Sequence, residues 1–279
     1  MPAMRRTLLS LALCGALLSS SAAAQAAPEP PNGQLFRYGG HPRQNITVYG
    51  DGGTPLVIVH GGYWSKDTDW SGWARWFAAR GFTVYDTDYR LTSDAVWPAQ
   101  RDDVLAALHW VQLREGGRRP LVLGSSAGGH LALQAGAYGA GRARALGVVA
   151  LSPVASPRRA WRDGARPGAS AERRELRRAA VRLAGCVPGD GAGRACRARW
   201  TDLSVASHAS GADDAPLLLV HSAGDFVPRT HSSEVASAER GAGLGDITVR
   251  TVSGSAHGGP LLRSPGMAQS VLRWLRGRA

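Results

Sequence analysis

The chain has 279 residues, 44% of them hydrophobic, with a formal net charge of +12 at pH 7. That length allows one large α/β domain. Lys66 is its single lysine, so the basicity comes from arginine. No stretch reaches the eighteen or more consecutive apolar residues of a membrane span, and no nucleic-acid motif accompanies the positive charge.

Residues 1–27 carry Arg5 and Arg6, an apolar run and then small residues, with Ala24-Gln25-Ala26 ahead of a proline-rich stretch. These are the parts of a cleavable secretory signal peptide. The expectation is an exported, extracellular protein whose mature domain spans 28–279. Cleavage would leave Cys186 and Cys196 as its two cysteines. In an oxidising compartment two thiols this close are expected to pair. No metal and no cofactor are expected, since Cys-x9-Cys without a nearby histidine pair is a poor zinc pattern.

Two early strands, Gln34–Tyr38 and Ile46–Tyr49, have no helix between them and suggest an antiparallel edge. Further strands are expected near 55–60, 82–86, 120–124, 146–151, 216–221 and 247–252. Helical stretches fall at Trp70–Arg80, Gln100–Arg114, Ala127–Tyr138, Ser232–Arg240 and Ala268–Arg276. Strands alternating with helices argue for a mostly parallel sheet covered on both faces. The interval after Leu151 breaks the rhythm with about sixty residues, far beyond an ordinary connection. It reads as a cap insertion over roughly 155–212. An Arg-rich amphipathic helix and the cysteine pair lie inside it, and Trp161 and Trp200 are candidates to line an acyl or aryl pocket.

The chemistry concentrates at strand ends. Leu121–Gly129 reads LVLGSSAGG, an apolar run that breaks into Gly124-Ser125-Ser126-Ala127-Gly128 and then into a helix former. This is G-x-S-x-G with a strand before and a helix after, the setting that exposes a serine hydroxyl at a sharp corner. Ser125 does not fit, because it would need glycine where Leu123 stands. Upstream, PLVIVHGGYW ends a strand at His60-Gly61-Gly62-Tyr63-Trp64, where small residues let backbone N–H groups approach an oxyanion. His60 there is expected to brace the loop by hydrogen bonding. Downstream, PLLLV leads to Asp225, and ITVRTV leads to His257 within SAHGG. A carboxylate beyond a strand's carboxyl end lies where ligand sites collect in parallel sheets. The order Ser126, Asp225, His257 is that of one known triad arrangement. Asp202, Asp213 and Asp214 precede the strand and lie on the wrong side of it.

With these segments, the runs DYRL at 88–91, WPAQRDD at 97–103 and ALSPV at 150–154 resemble an α/β-hydrolase over roughly residues 45–276. The similarity is to the esterase/lipase branch with an HGG oxyanion loop, including feruloyl-esterase-like carboxylesterases. It implies Ser126 as nucleophile, Asp225 as acid and His257 as base. It also implies an oxyanion hole from the N–H groups of Gly62, Tyr63 and Ala127. Two positions depart from the family pattern: Ser125 stands where relatives often have histidine, and His221-Ser222 where they have an HG pair. HGGYW also resembles kynurenine formamidases.

The function expected is therefore cleavage of a carboxylic ester, on a small molecule or a polymer, through an acyl-serine. An amidase, formamidase or peptidase on the same triad, an acyltransferase or cyclase, and a non-catalytic binding protein on the same scaffold remain as alternatives.

Overall fold

A computed structural model describes residues 33–279; the leader expected over 1–27 lies outside the described residues. Eight strands form one sheet in the order β1-β2-β4-β3-β5-β6-β7-β8. The edge strands β1 (Gln34–Arg37) and β2 (Asn45–Tyr49) pair antiparallel, and β2 is antiparallel to β4 (Phe82–Thr87). From β4 onward every pairing is parallel, through β3 (Thr54–Val59), β5 (Leu121–Ser125), β6 (Gly147–Leu151), β7 (Leu217–Ser222) and β8 (Ile247–Val252). This is the doubly covered, mostly parallel sheet of the α/β-hydrolase fold, and the antiparallel edge lies where the sequence places it.

Central strands are buried on both faces, so they read as continuous apolar runs, and alternate side chains feed opposite cores. Val57 and Val59 point into one core, Leu56 and Ile58 into the other. The first core is closed by α2 (Ala99–Arg114), α3 (Ala127–Ala137) and α8 (Thr230–Ala242). The second is closed by α1 (Ser71–Ala78) and α9 (Met267–Arg276), through Trp70, Phe77, Val271 and Leu275. A short helix, α4 (Gly141–Arg144), links α3 to β6. Among the described residues no helix is long and apolar enough to cross a membrane.

The long interval folds into α5 (Pro157–Asp163), α6 (Ala171–Ala184) and α7 (Arg194–Asp202), followed by a 3-10 turn at Val205–His208. Cys186 and Cys196 form a disulfide across the loop between α6 and α7. The insertion leans on α2 and α3. Asp202 accepts from Trp97 Nε1 at 2.6 Å and pairs with Arg101 at 3.0 Å, and His130 in α3 binds the Leu203 carbonyl at 2.8 Å. Ser170 caps α6 by accepting from the Arg173 N–H, and Gly185 ends it in the left-handed region.

Glu239 on α8 is fully buried beside Asp214, whose carboxylate already accepts the N–H groups of Ser210 and Gly211. Burial, reinforced by the neighbouring Asp214 carboxylate, pushes the Glu239 carboxyl up to about 9, which favours its neutral form at physiological pH. A folded-state value above the unfolded one gives stability that is complete below the unfolded value and is lost as pH rises toward 9. Denaturant unfolding is therefore expected to show declining stability from about pH 5 to pH 9. Glu239→Gln keeps the shape without the titrating charge; it should flatten that slope and be the more stable protein at about pH 8. An unchanged slope would place the titrating group elsewhere.

Candidate active site

The centre of the site is a turn that only small residues permit. Ser126, between β5 and α3, has φ 54 and ψ −112, a conformation that side-chain-bearing residues rarely hold. It persists because the chain around it is fixed: Ser126 N–H donates to the Leu151 carbonyl at 2.8 Å, and its own carbonyl accepts from His130 and Val154. The flanking glycines are required by contact. A Cβ on Gly128 would come within 2.2 Å of the Val59 and His60 carbonyls, and one on Gly124 within 2.3 Å of the Gly128 carbonyl. The motif thus brings the start of α3 against the end of β3, and Ser126 emerges at the sheet's carboxyl edge.

The loops after β7 and β8 converge on that hydroxyl. His257 Nε2 lies 2.8 Å from Ser126 Oγ, and its Nδ1 lies 2.8 Å from Asp225 Oδ1. An ionised carboxylate can only accept, so the proton sits on Nδ1 and leaves Nε2 free to take the serine proton. The Asp225 side chain is fully buried while His257 is partly exposed. Burial alone would push the Asp225 carboxyl up. The imidazoles of His221 and His257 and the Ser152 hydroxyl outweigh it and hold the group well below the usual carboxylate range. Asp225 is therefore ionised wherever the protein is folded near neutrality. Asp202 and Asp214 are occupied in the insertion and in the 210–211 turn, away from the serine.

Three serines that the motifs leave without a role hold this geometry. Ser152, just past β6, donates to Asp225 Oδ2 at 2.5 Å and accepts from the Gly258 N–H at 2.9 Å, joining acid and base loops through one hydroxyl. Ser125 accepts from the Gly259 N–H at 3.1 Å, and a Cβ on Gly258 would stand only 2.5 Å from its Oγ. Ser222 donates to the Ala256 carbonyl at 2.7 Å. The two departures from the family pattern, Ser125 and Ser222, are thus both anchors of the His257 loop. The edge rule that marks Asp225 would also have marked Ser152, since it follows a parallel strand directly. His221 is buried between Ser232 Oγ at 2.8 Å and the Val227 carbonyl at 3.2 Å.

Gly62, Tyr63 and Trp64 all have positive φ, which turns the segment after β3 back over the serine. The Gly62 carbonyl is taken up by the N–H groups of Ser65 and Lys66. The N–H groups of Gly62, Tyr63 and Ala127 donate to no turn or loop carbonyl among the described residues. His60 lies beneath, with Nδ1 at 2.7 Å from the Gly61 carbonyl and Nε2 at 3.1 Å from Asp88. Burial disfavours its cation, but Asp88, Asp67 and the Gly61 carbonyl outweigh that and raise its proton affinity. Both ring nitrogens face pure acceptors, the arrangement an imidazolium satisfies.

A cleft of about 320 Å³ opens at Ser126 and His257 between Tyr63, Trp70, Trp73 and Phe226. Phe226 packs on the His257 ring at 4.1 Å and near Tyr63 at 6.4 Å. No residue of the insertion lines it, which corrects the expectation for Trp161 and Trp200. Trp200 is buried in the core with its Nε1 on the Cys186 carbonyl, and Trp161 lies under the Arg177 guanidinium. The insertion braces the site where Arg173 Nε donates to the Phe226 carbonyl at 2.9 Å.

Residues 49–144 match the family model BD-FAE, a segment that holds the HGG turn and the serine elbow and ends before the acid and the base. A search of curated protein sequences finds no match. Among solved structures, the chain is similar to esterase B from Lactobacillus Rhamnosis (HN001), at 23% identity and TM-score 0.68, over 90% of this chain and 86% of that one. A truncated carbohydrate esterase from gut microbiota aligns at 17% identity and TM-score 0.73, over 91% and 98% of the two chains. Thermogutta terrifontis esterase 2, phosphonylated by sarin, aligns at 20% identity and TM-score 0.65, over 88% and 94%. At these identities the structural likeness establishes the fold. The chain has the α/β-hydrolase fold and is similar over residues 49–144 to the BD-FAE family.

Proposed function

We propose that the protein is a serine carboxylic ester hydrolase, exported after removal of the leader at 1–27, with Ser126 as nucleophile, His257 as base and Asp225 as its orienting anion. The observation that carries this reading is the hydrogen-bonded series Ser126–His257–Asp225, with 2.8 Å at each step, opening on a cleft beside uncommitted backbone N–H groups. The esterases to which the chain is structurally similar support it.

In this mechanism Ser126 Oγ attacks the acyl carbonyl carbon as its proton passes to His257 Nε2. The carbonyl oxygen becomes an anion, held by the N–H of Ala127 at the start of α3 and by those of Gly62 and Tyr63. A well-placed donor of this kind contributes about 3–4 kcal/mol to the transition state. The intermediate collapses when His257 returns the proton to the alcohol oxygen, which leaves, and an acyl-serine remains. Water then follows the same path: it gives a proton to His257, attacks the acyl carbon and releases the acid as Ser126 regains its proton. Asp225, ionised and buried, favours the imidazolium at both steps. Alcohols leave readily, which favours esters over amides for a site with one proton donor.

The test is turnover of the mature protein on esters of graded acyl length beside matched N-acyl amides, with labelling by a serine-directed phosphonate. Ester turnover and one labelled serine are expected; faster amide than ester cleavage would replace the reading with an amidase, and failure of both activity and labelling would overturn it. Ser126→Ala should remove labelling and lower kcat by roughly 10⁴-fold or more, and Asp225→Asn should lower kcat by about 10³–10⁴-fold with little change in KM.

Ser152→Ala provides a finer test. It deletes one hydrogen bond to the Asp225 carboxylate and the acceptor for the Gly258 N–H. Bonds to charged groups contribute about 1.5–3 kcal/mol, part of which neighbouring donors recover. We expect kcat to fall about 3- to 10-fold, with Ser152→Thr restoring most of it. Equal loss in both variants would mean that space, and not the hydroxyl, matters at this position.

A further inference from the structure

The lip of the catalytic cleft carries two cations that form no ion pair among the described residues. Lys66 and Arg263 both line the cleft that contains Ser126 and His257. Among the described residues neither side chain has a carboxylate partner, whereas Arg90, Arg101 and Arg278 each rest on an aspartate. The lip also holds Asp69, which borders the adjoining hollow with Arg263 as well; the Ser71 N–H at 2.9 Å keeps its carboxylate ionised, so the two cations outnumber one carboxylate there.

Both cations are carried on the backbone segments that build the site. The Lys66 N–H donates to the Gly62 carbonyl at 3.1 Å, and its ammonium lies 5.7 Å from the Tyr63 ring centre. Its stem packs against Gly62, where a Cβ would stand 3.0 Å from Lys66 Cγ. Arg263 ends the 3-10 turn Gly259–Arg263, which follows His257 directly and is anchored by the Gly259 N–H on Ser125. Gly259 also sits against Trp70, where a Cβ would be 3.1 Å from the indole. Arg263 borders the adjoining hollow with Trp73 and Trp76 as well. Trp70, Trp73 and the two cations thus line the same cleft as Ser126.

We propose that Lys66 and Arg263 form an anion subsite that selects esters bearing a carboxylate, on the acyl or the alcohol portion, over neutral esters of the same size. This inference rests on the esterase reading above. Lysine supplies a mobile point charge, and arginine a planar fork that can grip a carboxylate through two N–H groups. Exposed single pairs are weak, so the effect is one of selectivity and depends on ionic strength.

Two matched substrate pairs test it on the mature protein. One pair sets the mono-aryl ester of a dicarboxylic acid against the aryl ester of a neutral acid of equal chain length. The other sets the acetate of a hydroxybenzoate against that of the hydroxybenzamide. In at least one pair kcat/KM at low salt should favour the anionic member by about 5-fold or more, and the preference should shrink in high salt. Lys66→Gln and Arg263→Gln should each lower the anionic-to-neutral ratio by about 2- to 5-fold, chiefly through KM, while Lys66→Arg and Arg263→Lys retain it. A ratio at or below one in both pairs, or a preference that neither glutamine variant moves, overturns the subsite and leaves the esterase reading standing. Lack of turnover on all four esters, together with no phosphonate labelling, overturns both.

Discussion

The close approach of α3 to the end of β3 is the contact on which the site depends. Gly128 lies against the Val59 and His60 carbonyls with no room for a side chain, and that contact forces the β5–α3 turn to be sharp. The turn puts Ser126 into a positive-φ conformation of the kind that costs about 1–3 kcal/mol and survives only where the surroundings over-determine it. They do so here through hydrogen bonds from Ser126 to β6 and into α3. The same contact sets the HGG segment beside the start of α3, so Ser126 and the candidate oxyanion donors are positioned by one packing event.

Around that fixed point Asp225 and His257 are held by small hydroxyls. Ser125, Ser152 and Ser222 each tie the His257 loop to a different strand end, β5, β6 and β7. Loops are ordinarily the mobile part of such a fold. Here three hydrogen bonds convert a glycine-containing loop into a support with defined position, and one of the three also grips Asp225. Ser125 thereby acts at the point where relatives often carry histidine. A larger side chain there would meet Gly258.

The insertion has a different part from the one its length suggests. Its arginines, apolar stripe and disulfide build a helical layer against α2 and α3, and its tryptophans are consumed by that packing. The aromatic walls of the cleft come instead from the stretch after the HGG turn and from Phe226 beside the acid. The cleft is thus lined by the elements that carry Ser126, Asp225 and His257, with Lys66 and Arg263 adding charge to its aromatic walls.

Local pattern was sufficient for much of this protein. Continuous apolar runs marked the parallel strands because both sheet faces are buried, and the missing helix between the first two strands marked the antiparallel edge. G-x-S-x-G singled out Ser126 because its glycines answer to a steric need within a few residues. Asp225 and His257 were legible from their place after strands, since a parallel sheet gathers those loops at one edge. Tertiary structure alone decided what no local pattern encodes. Ser152 meets Asp225 across 73 positions and Gly258 across 106, a contact that exists only when β6, β7 and the loop after β8 lie side by side. The direction in which the insertion leans was likewise settled by its pairing with Arg101 and Trp97, because an amphipathic helix states that it has a partner but not which face of the protein supplies it.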